Sequence, residues 1–277
     1  MGVTMTREIP ERTPFATIDD MPPPMRAMIF AALDRMAADP QMRRVRAVAQ
    51  RALDPRPGQR VLDAGCGLGE VARDLAAAVA PGGEAVGVDA SAVAIATATE
   101  RAGDVPVTYA VGDLLSLDFQ DQTFDGVRAE RVLQHIGEPD AAVAELVRVT
   151  RSGGRVCLVD TDWLSLASDG LPEDLVSRMW REATGARQHN PTMGRTLRRR
   201  LVRAGLVDVV CEPVPLWFTD PDEASTVIPL FNRSIPREAG FVPDELWDPW
   251  WAAVDQATAA GELLAFVTIW VAAGVRP

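Results

Sequence analysis

The sequence contains no lysine; all 28 of its basic residues are arginine. Schiff-base chemistry and a lysine general base are therefore excluded. Histidine is almost absent as well: with only His135 and His189, imidazole acid–base chemistry has two candidates. Three cysteines, Cys66, Cys157 and Cys211, form no CxxC pair, and an odd number is a poor disulfide framework, so a reducing, cytoplasmic setting is expected. No apolar run reaches the roughly 18 residues that a membrane span needs. The first residues lack an apolar signal core and carry Glu8, Glu11, Asp19 and Asp20 instead. A basic excess is missing too. The formal charge of -11 argues against a nucleic-acid backbone as partner.

What the chain does have is a glycine-rich corner in its first quarter. At 277 residues, 47% hydrophobic and 24% charged, it has the makeup of a globular protein able to bury a core. In Val61–Glu70, VLDAGCGLGE, an apolar run ends in Asp63, and glycines follow at every second position, Gly65, Gly67 and Gly69. A helix-like stretch, Val71–Val79, comes next. Strand, glycine turn and helix together make a nucleotide-binding corner. The spacing narrows the nucleotide. A GxGxxG fingerprint counted from Gly65 needs its third glycine at position 70, where this chain has Glu70, a carboxylate beside the would-be pyrophosphate. A dinucleotide fits poorly; a ligand without phosphate fits better.

Around this corner the pattern is regular. Residues 1–24 read as a flexible leader that can order over a ligand, and Met25–Leu53 as two helices broken at Asp39-Pro40. Strands are expected at Arg60–Asp63, Glu84–Val88, Val105–Val111, Phe124–Ala129, Arg155–Asp160, Val207–Val214 and Leu263–Gly274. Helices fall between them at Ala90–Arg101, Ala141–Thr150, Leu171–Gly185 and Thr196–Ala204, with a helical insertion, Glu223–Ile228 and Pro243–Ala260, between strands six and seven. This predicts an α/β fold, a Rossmann-like, seven-stranded, mostly parallel sheet with helices on both faces, preceded by N-terminal helices. Ligands on such sheets bind at the carboxyl ends of the strands, and Asp63, Asp89, Asp113 and Glu130 all stand at or just past such ends. All seven tryptophans lie beyond residue 162, either packing a core or lining a pocket.

These segments resemble the class I S-adenosylmethionine (SAM)-dependent methyltransferases, in their small-molecule, type 11-like branch. VLDAGCGLG resembles the family's first motif, VGVDAS its second, VGDLLSLDF the third, and FDGVRAERVLQHI the fourth with the helix that follows. The resemblance is firm over residues 60–160 and topological over 195–277. It implies that Gly65, Gly67 and Gly69 admit the cofactor, and that Asp63 holds its amino-acid end. Asp89, with Ala90 beside it, would take the ribose hydroxyls, and Asp113 and Leu114 the adenine. Arg128, Glu130 and Arg131 would touch the methionine part. S-adenosylhomocysteine (SAH) would be the product.

Methyl transfer needs alignment of donor and acceptor, and a proton acceptor where the nucleophile is protonated. Candidates for that role are His135, His189 and the carboxylate of Glu130. Asp160 and Asp162 follow the fifth strand as a magnesium pair would, but no matching acid pair follows the fourth, and no metal is expected. The reading is one domain: leader and helices over 1–53, a cofactor core over 60–160, and a substrate-side half over 161–277. Its acceptor is a small, bulky, largely apolar metabolite of the secondary-metabolism type in a high-GC bacterium, with O-methylation ahead of N- or C-methylation. The protein would be a monomer or homodimer with neither nucleic-acid nor membrane partner. The alternative is a protein of the same fold that binds SAM yet catalyses another reaction, such as a cyclisation.

Overall fold

The computed structural model describes residues 18–187, 190–235, 237 and 242–277, with the backbone alone over 184–187. Two helices come first, α1 (Pro23–Ala38) and α2 (Pro40–Leu53). The break between them is an aspartate cap: Asp39 accepts from the N–H groups of Gln41 and Met42 at 2.8 and 3.0 Å, with Pro40 in the first turn. Alternating units follow: β1 (Arg60–Ala64), α3 (Glu70–Val79), β2 (Glu84–Asp89), α4 (Ala92–Ala102), β3 (Val107–Val111), β4 (Phe124–Glu130), α5 (Pro139–Val149) and β5 (Thr150–Asp169). The chain continues through α6 (Glu173–Arg187), α7 (Met193–Arg203), β6 (Val207–Phe218), α8 (Pro221–Ala224), α9 (Asp244–Ala260) and β7 (Leu264–Val275).

The seven strands lie in the order β3-β2-β1-β4-β5-β7-β6, and only β7 runs antiparallel to its neighbours. The mostly parallel Rossmann-like sheet, with N-terminal helices and a helical insertion between β6 and β7, is as the sequence predicts. Both faces are covered, which is why the strands read as apolar runs. On one face Val61, Val159 and Val271 pack under Met42, Val45 and Ala49 of α2 and Leu75 of α3; on the other, Leu62, Val127 and Leu158 pack under Leu146 of α5 and Leu197 of α7. The insertion is no appendage: Trp247 and Trp250 are buried in the first of these cores, and the Trp250 indole N–H donates to the Leu230 carbonyl at 2.9 Å. The free edge of β6 carries Pro213 and Pro215, and the Gln41 side chain pairs with the Trp217 backbone. Both devices blunt it against further strand pairing.

Some boundaries differ from the sequence expectation. β5 is 20 residues long, since β7 pairs with it as far as Asp169↔Leu264, across an irregularity between Asp162 and Ala167. That irregularity breaks the period-2 pattern, so the extension does not read as strand. α1 begins at Pro23, inside the supposed leader, since proline suits a first helical turn. α4 begins at Ala92 rather than Ala90, because Ser91 is its cap and accepts from the Ala94 N–H at 3.0 Å. The helix expected over Glu223–Ile228 is the single turn α8, and β3 starts at Val107.

Candidate active site

The carboxyl ends of β1, β2 and β4 frame a crevice whose floor is the glycine loop. The N–H groups of Gly65 and Cys66 both donate to the Val88 carbonyl, at 2.7 and 2.9 Å, so the loop leaving β1 is pinned to β2. Two of its glycines are sterically required. A Cβ on Gly65 would stand 2.2 Å from Val132, and one on Gly69 2.3 Å from the Tyr109 hydroxyl. Gly67, by contrast, faces open space. The loop therefore packs at both ends and is bare in the middle, where a ligand can reach the main chain. Tyr109, whose hydroxyl donates to the Gly69 carbonyl at 3.1 Å, braces the turn from β3. Nothing in the local sequence points to it.

Asp89 ends β2 with both oxygens engaged on one side. Oδ2 accepts from the Gly67 N–H and Oδ1 from the Ser91 N–H, each at 2.9 Å. A carboxylate oxygen has two lone-pair sites, so each keeps one for a ligand hydroxyl. Burial raises the Asp89 pKa, opposed by those two N–H groups. The leader reaches this point as well. Asp19 accepts from the Ser91 hydroxyl and, at 2.8 Å, from the Ala92 N–H, which sets an acid on the first turn of α4. Asp34 of α1 and Arg101 of α4 form a two-bond ion pair at 2.6 and 3.1 Å. Asp113 is exposed beyond β3, where Oδ1 accepts from the Leu115 N–H at 2.9 Å; Ala90 is exposed and Leu114 buried. The Gly112 N–H donates to the Asp89 carbonyl at 3.0 Å, so the Asp113 turn and Asp89 share one rim.

Beneath the crevice lies a charge network. Asp63 of β1 and Arg128 of β4 are register partners, and both are buried. Glu130 is gripped by Arg128 and by Arg46 of α2, the latter at 2.9 Å from Arg46 Nε to Oε1. Burial alone would raise the Glu130 pKa; the two guanidiniums override it and hold the carboxyl at about 2. Such a group is a weak proton acceptor at neutral pH. Asp63 behaves oppositely. Burial pushes it up to about 7, with Arg128 opposing, and its Oδ2 has no hydrogen-bond partner. Beside this network α2 and α3 leave a cavity of about 550 Å³, lined by Arg43, Arg46, Arg73, Arg128 and Glu70 among others. Arg46 lies 84 residues before Glu130, and the sequence offers no sign that they meet.

The rim over β4 and β5 is built differently. Arg131 adopts a left-handed backbone, φ 59°, and its N–H donates to the Val159 carbonyl at 2.7 Å. A short 3-10 turn, Leu133–His135, follows and brings His135 to this rim. The turn is clipped to β5 itself and to Asn190, just before α7. Gln134 accepts from the buried Trp163 indole N–H at 2.7 Å, and its own backbone N–H donates to Asp160 at 3.2 Å. The Asn190 amide donates to the carbonyls of Leu133 and Ile136 at 3.2 and 2.7 Å. His189 lies outside the described residues. Asp162 is bound by Arg195 of α7.

The crevice suits the cofactor that the motifs imply. It offers carboxylate lone pairs at Asp89 for two vicinal hydroxyls, an unpartnered buried carboxyl oxygen at Asp63 for an ammonium group, and a bare backbone at Gly67. Comparison with known proteins agrees. Residues 62–158 match the family described as "Methyltransferase domain". An uncharacterized methyltransferase of Schizosaccharomyces pombe is 32% identical over 189 residues, 64% of this chain and 67% of that protein. A demethylmenaquinone methyltransferase of Symbiobacterium thermophilum is 35% identical over 108 residues, 37% of this chain and 43% of that one. Among solved structures, the [4+2]-cyclase SpnF shares the fold at a TM-score of 0.54 and 23% identity, covering 85% of this chain and 82% of its own. The chain belongs to the class I SAM-dependent methyltransferases and is an enzyme of that kind, with SAM as its cofactor.

Proposed function

We propose that the enzyme methylates a small, bulky and largely apolar metabolite, at oxygen in preference to nitrogen or carbon. The observation that carries this reading is the contact between Met36 at the end of α1 and the Arg131 guanidinium, which lays an N-terminal helix over the β4 rim. A rim roofed in this way favours a compact acceptor over a polymer. The acidic surface and the apolar acceptor in the quinone methyltransferase relative's name support the same class. In this reading the chain works as one cytoplasmic domain, 60–160 for the cofactor and 161–277 for the acceptor, as monomer or homodimer in bacterial secondary metabolism. Incubation with SAM and a panel of naphthols, aryl amines, nucleic acid and protein tests it by mass spectrometry. Methyl ethers of the naphthols are expected; methylated macromolecule alone would refute it.

The residues take these roles in the proposal. Asp89, with Ala90 beside it, holds the ribose, and Asp113 and Leu114 the adenine. Gly65, Gly67 and Gly69 shape the loop. Asp63 faces the ammonium group, and the arginine-lined cavity between α2 and α3 takes the carboxylate. Bound there, SAM supplies an activated sulfonium methyl group. Glu130 serves to order Arg46 and Arg128, which leaves His135 and His189 as the imidazole candidates for proton removal.

Asp63 gives this arrangement a pH signature. With a folded pKa of about 7 it is partly protonated at neutral pH, and a cationic amino group beside it favours the carboxylate. SAH binding is therefore expected to release protons near pH 7 and to tighten as pH rises from about 6 to about 8. Calorimetry in buffers of different ionisation enthalpy measures the release, and Asp63→Asn should abolish it.

A further inference from the structure

We infer that Arg131 is an acceptor-binding residue, and that the acceptor group it recognises is an acidic hydroxyl, a phenol or enol, held as its anion. This rests on the methyltransferase reading and deepens it.

Arg131 lacks a strong hydrogen-bond acceptor. Its guanidinium lies against the Met36 sulfur, a weak acceptor. Burial pulls its pKa below the ordinary arginine value, and the carboxylates that oppose this, Asp160 and then Glu130, do so through space without a hydrogen bond to it. Asp160 is itself pushed up to about 7 by burial, and Glu130 is already committed to Arg46 and Arg128. The charged groups acting on this guanidinium are thus the carboxyls of Asp160, which titrates near neutrality, and Glu130, against the like charge of Arg46. Arg131 is only partly buried, but a guanidinium withdrawn even in part from water without a strong acceptor carries a cost. The left-handed backbone that aims it adds strain, which in a non-glycine residue often marks a working position.

Sheet order decides which ligand supplies the missing anion. Adenine and ribose carboxylates sit on β3 and β2, and the amino-acid end falls at β1 and β4, where the cavity carries its own guanidiniums, Arg46, Arg73 and Arg128, and does not include Arg131. The Arg131 backbone is tied through its N–H to Val159 of β5, and its guanidinium lies against Met36 of α1; neither of these two residues is among those lining that cavity. Arg131 stands past the methionine position, on the side where the acceptor must approach. A guanidinium there stabilises an oxyanion more than its neutral parent. It also lightens the demand for a protein base, which accords with Glu130 being held ionised by its arginines.

The test uses two chromogenic acceptor mimics, 4-nitrophenol and 4-nitro-1-naphthol, whose anions absorb in the visible, titrated against the SAH-loaded protein. Wild type is expected to bind them with an apparent pKa lowered by about one unit or more, a tenfold shift in ionisation. Arg131→Gln should abolish the shift and Arg131→Lys retain most of it, each measured on protein that calorimetry shows to be saturated with SAH. Binding of the neutral phenols, no binding of either, or an undiminished shift in Arg131→Gln would overturn the proposal. So would an Arg131→Gln variant that loses SAH, since the guanidinium would then serve the cofactor. Failure of wild type to bind SAH would instead strike the cofactor reading beneath it.

Discussion

Replacing Asp89 with alanine is expected to weaken SAH binding about a hundredfold. The carboxylate orders the crevice through the Gly67 and Ser91 N–H groups, and each oxygen keeps a lone pair for a ribose hydroxyl. Hydrogen bonds to a charged group contribute about 1.5–3 kcal/mol each. Losing two, less the cost of desolvating the carboxylate, leaves roughly 3 kcal/mol, about a hundredfold in affinity. Asp89→Asn keeps an oxygen for one of the two N–H groups and one ribose contact, and should fall between the two. Asp113→Ala should cost less, because Asp113 is exposed and competes with water for its partners. Calorimetric titration of SAH into the four proteins checks the ranking. An Asp89→Ala protein that is folded and binds as wild type does would remove the ribose from this position.

The second large effect is on stability. Glu130→Ala leaves Arg46 and the buried Arg128 without the carboxylate that both of them grip. Breaking one side of a buried ion pair typically costs about 3–5 kcal/mol, which for a domain of this size lowers Tm on the order of 10 °C. The same residue sets an acid limit. Its carboxyl ordinarily titrates near 4.5 and in the fold near 2. A depressed folded pKa means stability present above the ordinary value and lost as pH falls through the folded one. The Glu130 contribution is therefore complete above about pH 4.5 and fades toward pH 2. Thermal unfolding of wild type and Glu130→Gln across that range should show the wild-type advantage shrink. A constant difference would mean that Glu130 is not the titrating group.

Much of this was legible in the sequence, for physical reasons. A buried parallel sheet leaves apolar strands separated by capped helices, and Asp39, Ser91 and the glycines at 65, 67 and 69 are local marks of local geometry. The rim acids were legible because strand ends place them there. What escaped depends on contacts between distant segments. Arg46 and Glu130 meet only because α2 packs across β4; the family resemblance marks Arg128 as a cofactor contact, but not that β1 brings Asp63 beside it. Tyr109 braces Gly69 from 40 residues away, and Asp19 reaches α4 from a stretch that reads as loose leader. The outer half of β5 is hidden by its irregularity, and its partner β7 lies about 100 residues on. Pairing at that separation leaves no period to detect.

A crystal structure of the protein with SAH bound tests the account most directly. It should place the adenosine between Asp113 and Asp89, the ammonium group at Asp63, the carboxylate among Arg46, Arg73 and Arg128, and the sulfur facing Arg131 and the β5 rim. An amino-acid end on Arg131, with the cavity between α2 and α3 left to solvent, would contradict both the cofactor's orientation and the role assigned to that arginine.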